Sequence, residues 1–445
     1  MTSKTQIDLR SGFPAPGLLP ANRLNDAANS VLTNQLIWTP GMVYGADEGY
    51  LPLRENVAKW LTEFYAPSEP IGVNRITITG GASQNLACIL QVFTDPVATR
   101  NIWVVEPAYY LAFRVFEDAG FYGRLRGVPE DEEGIDISYL EDALEESVKS
   151  GTIIEKIQPF KPPVPYRKLY KHVIYCVPTF SNPSGTIMSL SRREALVRLA
   201  RKYDALIISD DVYDFVHWTP SIMEEPKGDL KALLPRLVDI DRTLDGGPIG
   251  DFGNTVSNGS FSKIISPGCR VGWAEGTPKM AYGISQVGST RSGGAPSQLM
   301  STFVNELLID GSLNERIRTH LLPEYKRRHS VLLSAVKEYL FPLGISFHAD
   351  PTTTNPNPQG PIGGFFLWLR LPSPLTATEV EDISLRDANV IFGNGGLAAL
   401  PEGNKGIESY DDRIRLCFAW SDEDLLAEGV MRLGDVIRKL LDERK

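Results

Sequence analysis

Short apolar runs alternate with helix-like segments over most of the chain, and this alternation constrains the fold more than any other feature. RITITGGASQNLACILQVF starts as a strand, turns at two glycines and continues as an apolar helix. NIWVVEPAYYLAFRVFEDAG repeats that order, and HVIYCVPTFSNPSG and ALIISDDVYDF add two strands that end in loops. Strands that alternate with helices in this way predict an α/β fold with a mainly parallel sheet.

The pattern changes near Gly311. A long helical stretch, LNERIRTHLLPEYKRRHSVLLSAVKEYL, leads into the alternating segments GGFFLWLRLP and DRIRLCFAW. We therefore predict three parts: an N-terminal arm over 1–43 that packs on the small domain or on a partner chain, a large domain over 44–310, and a small α+β domain over 311–445. Segments rich in Pro, Gly or charge predict irregular insertions at 155–168, 219–254 and 350–362.

The amino-acid composition argues against several classes of protein. Hydrophobic residues at 42% and charged residues at 22% are typical of a soluble globular protein. A formal net charge of -10 argues against a nucleic-acid-binding surface. The start of the chain lacks the apolar core of a signal peptide, and no apolar run approaches the length of a membrane span. A cytoplasmic protein without nucleic-acid or membrane partners is expected.

The cysteines show no metal-binding or disulfide pattern. Cys88, Cys176, Cys269 and Cys417 are scattered, and each lies in or near an apolar segment. Buried free thiols are therefore expected, and no metal site is predicted.

One strand end has the form of an anion site. After RITIT, Gly80 and Gly81 lead into Ala82 and Ser83, which open a helix. Open parallel sheets bind ligands beyond the carboxyl ends of their strands, and the free N–H groups and dipole of a helix N-terminus favour phosphate. On its own the same pattern fits a plain strand-to-helix turn equally well.

Polar or aromatic residues follow three more strands. Asp210 ends ALIISD, and Tyr213 comes three residues later. Asn182 opens the turn NPSG after VIYCVP, and Tyr109 follows NIWVVEP. Taken singly, each fits an ordinary role as a helix cap, a turn or a packed aromatic ring. One ligand that uses all of them would account for the whole set.

The segment SNGSFSKIISPGCRVGW adds Lys263 to this set, and Ser260, Ser262 and Arg270 lie close to it in the sequence. Pyridoxal phosphate needs a lysine amine for its Schiff base and a carboxylate to keep its ring nitrogen protonated. Its phosphate needs backbone amides, hydroxyls and an arginine, and its flat ring needs an aromatic face. Pyridoxal phosphate is therefore one cofactor that would use the whole set.

The motifs in this order, from SGFPAPGLLP to RIRLCFAW, resemble the fold-type I enzymes of the class I/II aminotransferase family. YGADEGYLPLRENVAKWL, PEYKRRHSVLLSAVKEYL and GGFFLWLRLP resemble the branch that holds 2-aminoadipate and kynurenine aminotransferases and the aminotransferase-like domain of MocR-type regulators. The resemblance implies a large domain with a mainly parallel, seven-stranded sheet, a smaller α+β domain, and transfer of an amino group between an L-amino acid and a 2-oxo acid.

The resemblance also implies roles for matching residues. Lys263 would form the Schiff base and then shuttle a proton as a base. Asp210 would pair with the ring nitrogen, Asn182 and Tyr213 would donate hydrogen bonds to the ring oxygen, and Tyr109 would stack on the ring. The phosphate ligands would be Ala82, Ser83, Ser260, Ser262 and Arg270.

Substrate residues follow from the same resemblance. Arg415 in DRIRLCFAW would hold the substrate α-carboxylate through a two-pronged hydrogen bond, and a salt bridge to Asp411 or Asp412 is the alternative. Gly12 and Asn182 would lie close to the substrate. Glutamate and 2-oxoglutarate are the pair expected for the family.

Two features of the resemblance concern the edge of the site. Tyr44 in VYGADEGYLPLREN would cross the interface of a homodimer and reach the partner's cofactor phosphate. Asn394 stands where the family usually has the proline of a PG turn, so the geometry there stays open.

Arg10, Arg23 and Arg291 are candidates for a second carboxylate site, without a matching motif.

Two alternative functions stay open. The same cofactor residues serve lyases, decarboxylases and enzymes that form carbon–carbon bonds, because fold and cofactor do not select the reaction. A MocR-type regulator is the second alternative, but too few residues precede SGFPAP for the winged helix-turn-helix that those regulators carry.

Overall fold

The computed structural model describes residues 5–150, 158–219, 230–294, 296–347 and 360–444. The strands in these residues are β1 Ile7–Leu9, β2 Ile76–Thr79, β3 Asn101–Glu106, β4 Leu125–Asp131, β5 Gly134–Ile135, β6 His172–Cys176, β7 Ala205–Asp210, β8 His217–Trp218, β9 Thr255–Ser260, β10 Gly272–Glu275, β11 Ser346–Phe347, β12 Ile362–Gly363, β13 Phe366–Arg370, β14 Val390–Asn394 and β15 Arg413–Cys417.

The α-helices of the described residues are α1 Ala21–Thr33, α2 Gln35–Gly41, α3 Leu51–Tyr65, α4 Ala82–Phe93, α5 Leu111–Phe116, α6 Ile137–Ser150, α7 Leu190–Lys202, α8 Leu237–Thr243, α9 Pro278–Ser285, α10 Gln298–Ile309, α11 Ser312–Arg316, α12 Leu322–Ala335, α13 Ala377–Ile383 and α14 Glu423–Asp442.

The larger sheet has eight strands in the order β2-β10-β9-β7-β6-β3-β4-β5. The strands β9, β7, β6, β3 and β4 pair in parallel, whereas β10 is antiparallel to both of its neighbours. The prediction of a mainly parallel sheet is therefore confirmed. The resemblance implied seven strands. The eighth strand, β5, is only two residues long and pairs with β4 in the antiparallel direction.

Residues of the central strands alternate between two apolar layers. In β6, Val173 and Tyr175 pack into one buried cluster, while Ile174 and Cys176 pack into another. Every residue of β6, β7 and β9 is buried, as expected for strands that are covered on both faces. Polar side chains at the ends of these strands therefore emerge at one edge of the sheet.

The smaller sheet has the order β1-β14-β15-β13-β11. Its first strand comes from the N-terminal segment, where Ile7 pairs with Val390 of β14 in parallel. Helices α1 and α2 of that segment contact α10. The segment thus contacts both parts of the molecule, while the three-part domain division with its bounds stays a prediction.

The predicted insertions are irregular only in part. Residues 158–168 form no helix or strand, as expected. Within 230–254 the chain forms helix α8, which corrects the expectation of an irregular segment because Leu237 and Val238 supply buried apolar contacts. Residues 155–157, 220–229 and 350–359 lie outside the described residues.

The cysteine prediction is confirmed, because Cys88, Cys176, Cys269 and Cys417 are all buried and free. None of the helices that the structure describes is long and apolar enough to cross a membrane.

Candidate active site

A cavity of about 360 Å³ lies at the carboxyl ends of β6, β7 and β9. Twelve of the thirteen site residues predicted from the sequence line it, and Tyr44 does not. The twelve are Gly12, Ala82, Ser83, Tyr109, Asn182, Asp210, Tyr213, Ser260, Ser262, Lys263, Arg270 and Arg415. Residues from sequence positions more than 400 apart therefore meet around one space, as an open parallel sheet allows.

Lys263 lies in the turn that follows β9 and reaches across the cavity. Its Nζ donates a hydrogen bond to the carbonyl oxygen of Gly12 at 2.5 Å. Burial lowers the pKa of Lys263 to about 8, although the nearby Cys417 and Asp210 act in the opposite direction. A lysine in this state keeps a substantial neutral fraction near neutral pH, which a nucleophile or base requires.

Asp210 ends β7, and its carboxylate has two partners on neighbouring strands. The hydroxyl of Tyr175 donates to Asp210 Oδ2 at 2.8 Å, and Asn258 Nδ2 lies 3.5 Å from Oδ1. Burial raises the pKa of Asp210 to about 6, against the Tyr175 hydrogen bond and the positive charge of Lys263. A buried carboxylate of this kind is suited to share a proton with a ring nitrogen.

Arg415 of β15 is held by neutral groups. Its Nη1 donates to Asn182 Oδ1 and its Nη2 to the carbonyl of Arg10, both at 2.8 Å. Its Cζ lies 4.1 Å from the centre of the Phe366 ring, and its buried Nε has no hydrogen-bond partner in the described residues. The guanidinium is thus fixed and incompletely satisfied, which favours binding of a carboxylate.

The alternative predicted for Arg415, a salt bridge to a neighbouring aspartate, is absent from the described residues. Asp412 instead pairs with Arg370 at 2.9 Å and with Arg413.

Arg270 lines one end of the cavity, where it lies against Gly81. Arg270 Nη2 donates to the carbonyl of Gly80 at 2.5 Å, and its Nη1 donates to the carbonyl of Pro267 at 2.9 Å. Gly81 adopts a φ of +97°, and a Cβ atom there would lie 2.7 Å from Arg270 Nη2. The absence of a side chain at Gly81 therefore lets the guanidinium approach the start of α4.

Two hydroxyls complete the same end. Ser260 Oγ donates to Ser262 Oγ at 2.9 Å and accepts a hydrogen bond from the backbone N–H of Ser262 at 3.1 Å. Ala82 and Ser83 begin α4, whose first N–H groups have no partner within the helix. This combination of a helix N-terminus, hydroxyls and an arginine fits a phosphate.

Aromatic side chains border the space between Lys263 and Arg415. Tyr213 is buried and meets Phe365 edge to face, with ring centres 5.5 Å apart. Tyr109 is partly buried, and its burial, with a smaller contribution from Asp210, raises its pKa to about 12. Both tyrosines stay neutral in the ordinary pH range, so each can donate a hydrogen bond or offer a ring face.

Gly12 is needed for its small size. A Cβ atom at Gly12 would lie 2.6 Å from Cζ of Phe366, the ring that packs on Arg415. Its carbonyl also accepts the hydrogen bond from Lys263. Through the carbonyls of Gly12 and Arg10, the N-terminal segment contacts both Lys263 and Arg415.

Tyr44 lies outside the cavity of its own chain. Its side chain is 86% exposed, and its ring packs near Gly293. The role of Tyr44 in a partner's site stays a prediction.

Two residues of the site are not predicted from the sequence. Tyr175 and Asn258 hold Asp210, and Asn258 also donates to the carbonyl of Ala82 at 3.1 Å and accepts from Asn85 at 2.8 Å. The signal that could reveal them is a polar side chain inside an otherwise buried strand.

The candidates for a second carboxylate site differ in position. Arg10 lines the cavity, and its guanidinium has no partner within the described residues. Arg23 instead pairs with Glu315 at 3.2 Å, and Arg291 pairs with Asp47 at 3.3 Å. Of the three, only Arg10 is available to a ligand in this cavity.

Asn394 replaces the expected proline with a side-chain cap. Its Oδ1 accepts from the N–H of Gly396 at 3.0 Å, and its Nδ2 donates to Glu381 at 2.8 Å. Asn394 also borders a small second cavity that adjoins Arg415. The turn is therefore fixed by hydrogen bonds rather than by a proline ring.

Known proteins are similar to the chain over nearly its whole length. The family model "Aminotransferase class I and II" matches residues 5–433. An uncharacterized protein of Saccharomyces cerevisiae is 34% identical over 452 residues, which cover 97% of each chain. The 2-aminoadipate transaminase of Thermus thermophilus is 28% identical over 435 residues, which cover 98% of this chain and 91% of that protein.

Solved structures are similar over the whole chain. The kynurenine aminotransferase of Pyrococcus horikoshii, crystallised with PMP and kynurenine, matches with a TM-score of 0.76 at 25% identity and covers 99% of this chain and 92% of that one. LysN, the alpha-aminoadipate aminotransferase of Thermus thermophilus, matches with a TM-score of 0.74 at 27% identity and covers 99% and 94%.

Proposed function

Because the chain belongs to the class I and II aminotransferase family and is a pyridoxal phosphate-dependent transaminase, we propose that Lys263 holds the cofactor covalently and moves the reacting proton. The family, fold class and cofactor predicted from the sequence are confirmed by these comparisons. The observation that carries the proposal is a lysine with a lowered pKa in the same cavity as Asp210, Arg270 and Arg415.

The described residues fit pyridoxal phosphate at its phosphate and at its ring nitrogen. The space left by Gly81 beside Arg270, with the free N–H groups of α4, suits the phosphate. Asp210, held by Tyr175 and Asn258, suits the ring nitrogen. Residues proposed to bind the cofactor are Ala82, Ser83, Tyr109, Asn182, Asp210, Tyr213, Ser260, Ser262, Lys263 and Arg270.

When bound, the cofactor supplies a ring that withdraws electrons from the substrate and so acidifies the hydrogen on the substrate Cα. Lys263 Nζ, once the substrate amine has displaced it from the cofactor, would accept that proton and later give it back, and burial favours the neutral form that this role needs. Asp210 would hold a proton on the ring nitrogen through Oδ1 or Oδ2. Tyr175 and Asn258 would keep the carboxylate of Asp210 in place.

Arg415 is proposed to bind the α-carboxylate of the amino acid or 2-oxo acid. Its buried Nε lacks a partner, and its contacts to Asn182 and Arg10 are to neutral oxygens that a carboxylate could replace. Gly12 and Asn182 would border the same substrate. Arg10 is the candidate for a second carboxylate, as in the expected pair of glutamate and 2-oxoglutarate.

A homodimer with shared sites, in which Tyr44 reaches the partner's cofactor phosphate, and a cytoplasmic location also belong to the proposal. The exposed tyrosine supports the first, and the four free thiols support the second.

Borohydride reduction tests the role of Lys263. The purified protein should be yellow, and reduction should attach the cofactor irreversibly to the peptide that contains Lys263. The Lys263→Ala variant should lose this adduct. Lys161→Ala is the matched control, because burial lowers the pKa of Lys161 to about 8 as well but this amine donates to backbone carbonyls outside the cavity. An adduct that persists in Lys263→Ala, or that maps to another peptide, would reject the proposal.

A further inference from the structure

The chain between β14 and β15, residues 395–412, crosses from the smaller sheet to the edge of the larger one. We refer to it as the β14–β15 connection. The N–H of Ala108 donates to the carbonyl of Ala398 at 3.0 Å, and the N–H of Gly127 donates to the carbonyl of Lys405 at 2.8 Å. The N–H of Lys405 donates a hydrogen bond to the carbonyl of Leu125 at 3.2 Å. The connection is therefore hydrogen-bonded to β4 and to the segment after β3.

Glu106, the last residue of β3, makes the central contact with this connection. Its Oε1 accepts from the N–H of Leu400 and its Oε2 from the N–H of Ile407, both at 2.8 Å. Its side chain is 1% exposed, and no cation pairs with it in the described residues. Burial raises the pKa of Glu106 to about 7, although the two hydrogen bonds act in the opposite direction. Such a carboxylate is costly to bury, which argues that the contact has a specific use.

The two segments that Glu106 joins both lead into the candidate active site. Glu106 precedes Tyr109 by three residues, and the connection ends at β15, which carries Arg415. Ala108, Tyr110, Leu397, Ala398 and Arg415 line the small cavity beside the main one. The contact therefore joins the segment that carries Tyr109 to the connection that leads to Arg415.

We propose that Glu106 is a positioning residue for substrate binding, which holds the β14–β15 connection against β3 and so sets the position of Arg415 relative to Tyr109. This inference rests on the proposed role of Arg415 in binding the substrate α-carboxylate. Glu106 lies outside the main cavity and acts only through the connection. Loss of the contact should weaken substrate binding while the cofactor stays in place.

Gly127 provides an independent way to disturb the same contact. A Cβ atom at Gly127 would lie 1.8 Å from Glu106 Oε2. Since a side chain at this position cannot coexist with the carboxylate, Gly127→Ala should displace Glu106 without removing its charge. Glu106→Gln removes one of the two acceptor oxygens instead, because its amide nitrogen would face a backbone N–H.

Hydrogen exchange and steady-state kinetics of the holoenzyme together test this proposal. Both Glu106→Gln and Gly127→Ala should speed amide exchange in residues 398–407 and raise KM for every amino acid about tenfold, with a smaller change in kcat. The cofactor absorbance should stay unchanged. Glu402→Gln is the matched control, since Glu402 lies in the same connection but is exposed and has no hydrogen bond or ion pair in the described residues. This variant should behave like the wild type.

Two outcomes would overturn the proposal. Faster exchange with an unchanged KM in both variants would reduce the contact to a purely structural one. Loss of the cofactor absorbance together with activity would mean that the contact supports the whole site rather than substrate binding. The variant Arg415→Lys distinguishes failure of this inference from failure of the proposed function. A normal KM in Arg415→Lys would reject the proposed function. A raised KM in Arg415→Lys, together with a normal KM in Glu106→Gln and Gly127→Ala, would reject this inference alone.

Discussion

At Lys263, burial and nearby charges act on a single amine in different directions. Burial has the largest effect and lowers the pKa, while Cys417 and Asp210 raise it and Arg415 lowers it. An ordinary lysine has a pKa near 10.4 and carries its proton throughout the neutral range. Lys263 therefore loses its proton at a pH about two units lower than an exposed lysine does, mainly because water is excluded from its amine.

The reactivity of Lys263 in the cofactor-free protein should therefore follow a group with a pKa of about 8. Only the neutral amine reacts, so the rate should rise with pH, be roughly tenfold higher at pH 9 than at pH 7, and level off above that. Reductive methylation with formaldehyde, followed by mass spectrometry of the Lys263 peptide, measures this profile. Exposed lysines in the same digest should still gain reactivity at pH 10.

Asp210→Asn is the diagnostic variant for this profile. Removal of the negative charge of Asp210, which raises the pKa of Lys263, should move the midpoint to lower pH. A profile that still rises steeply at pH 10, or a midpoint that moves upward in Asp210→Asn, would contradict the assigned electrostatics.

At the scale of elements, the site is built where strands end and α4 begins. Gly81 precedes α4 in a conformation, φ +97° and ψ 170°, that residues with a side chain rarely adopt. The close approach of Arg270 to this glycine also leaves no room for a Cβ atom. Backbone strain and steric conflict therefore act at the same position, the end of the cavity assigned to the phosphate.

Gly81→Ala should weaken pyridoxal phosphate binding about tenfold or more, because the added Cβ atom would displace Arg270 and the loss of a hydrogen bond to a charged group costs roughly 1.5–3 kcal/mol. The dissociation constant can be measured by absorbance titration of the cofactor-free protein. Gly17→Ala is the control, because nothing lies within 4 Å of a Cβ atom there and its φ is not positive. Equal affinities in the two variants would show that the start of α4 does not hold the phosphate.

Sequence patterns predict much of this arrangement at the level of elements and less at the level of contacts. Asp210 can be assigned because it ends the apolar run ALIISD, and Lys263 can be assigned because Ser260, Ser262 and Arg270 surround it in the sequence. Asn258 cannot be assigned in this way, because its contact with Asp210 depends on the register of β9 against β7. The Glu106 contact joins residues 294 positions apart, and no local pattern specifies such a pair.

At the scale of the whole molecule, the N-terminal segment is the part that least resembles a self-contained unit. Strand β1 completes the smaller sheet, whereas α2 and the residues after it expose Leu36, Met42, Val43 and Tyr44, each more than half accessible. Apolar side chains clustered on one exposed segment mark an interaction surface. A two-fold dimer would cover this surface in both copies and place one Tyr44 at each site.

Subunit complementation decides whether Tyr44 acts in the partner's site. Lys263→Ala and Tyr44→Ala should each have little activity alone at a low pyridoxal phosphate concentration. If Tyr44 crosses the interface, the mixed dimer has one site with both residues lost and one site with both intact. Random exchange makes about half of the dimers mixed, so activity should return to about one quarter of the wild-type level.

The control for this experiment mixes Lys263→Ala with Arg270→Ala, because Arg270 lines the cavity of its own chain. Each site of that mixed dimer keeps one defect, and the mixture should stay inactive. Mass spectrometry of the intact dimers shows that subunits have exchanged. An exchanged mixture of Lys263→Ala and Tyr44→Ala that regains no activity would place Tyr44 in its own subunit, and the exposed apolar segment would then need a different explanation from a shared active site.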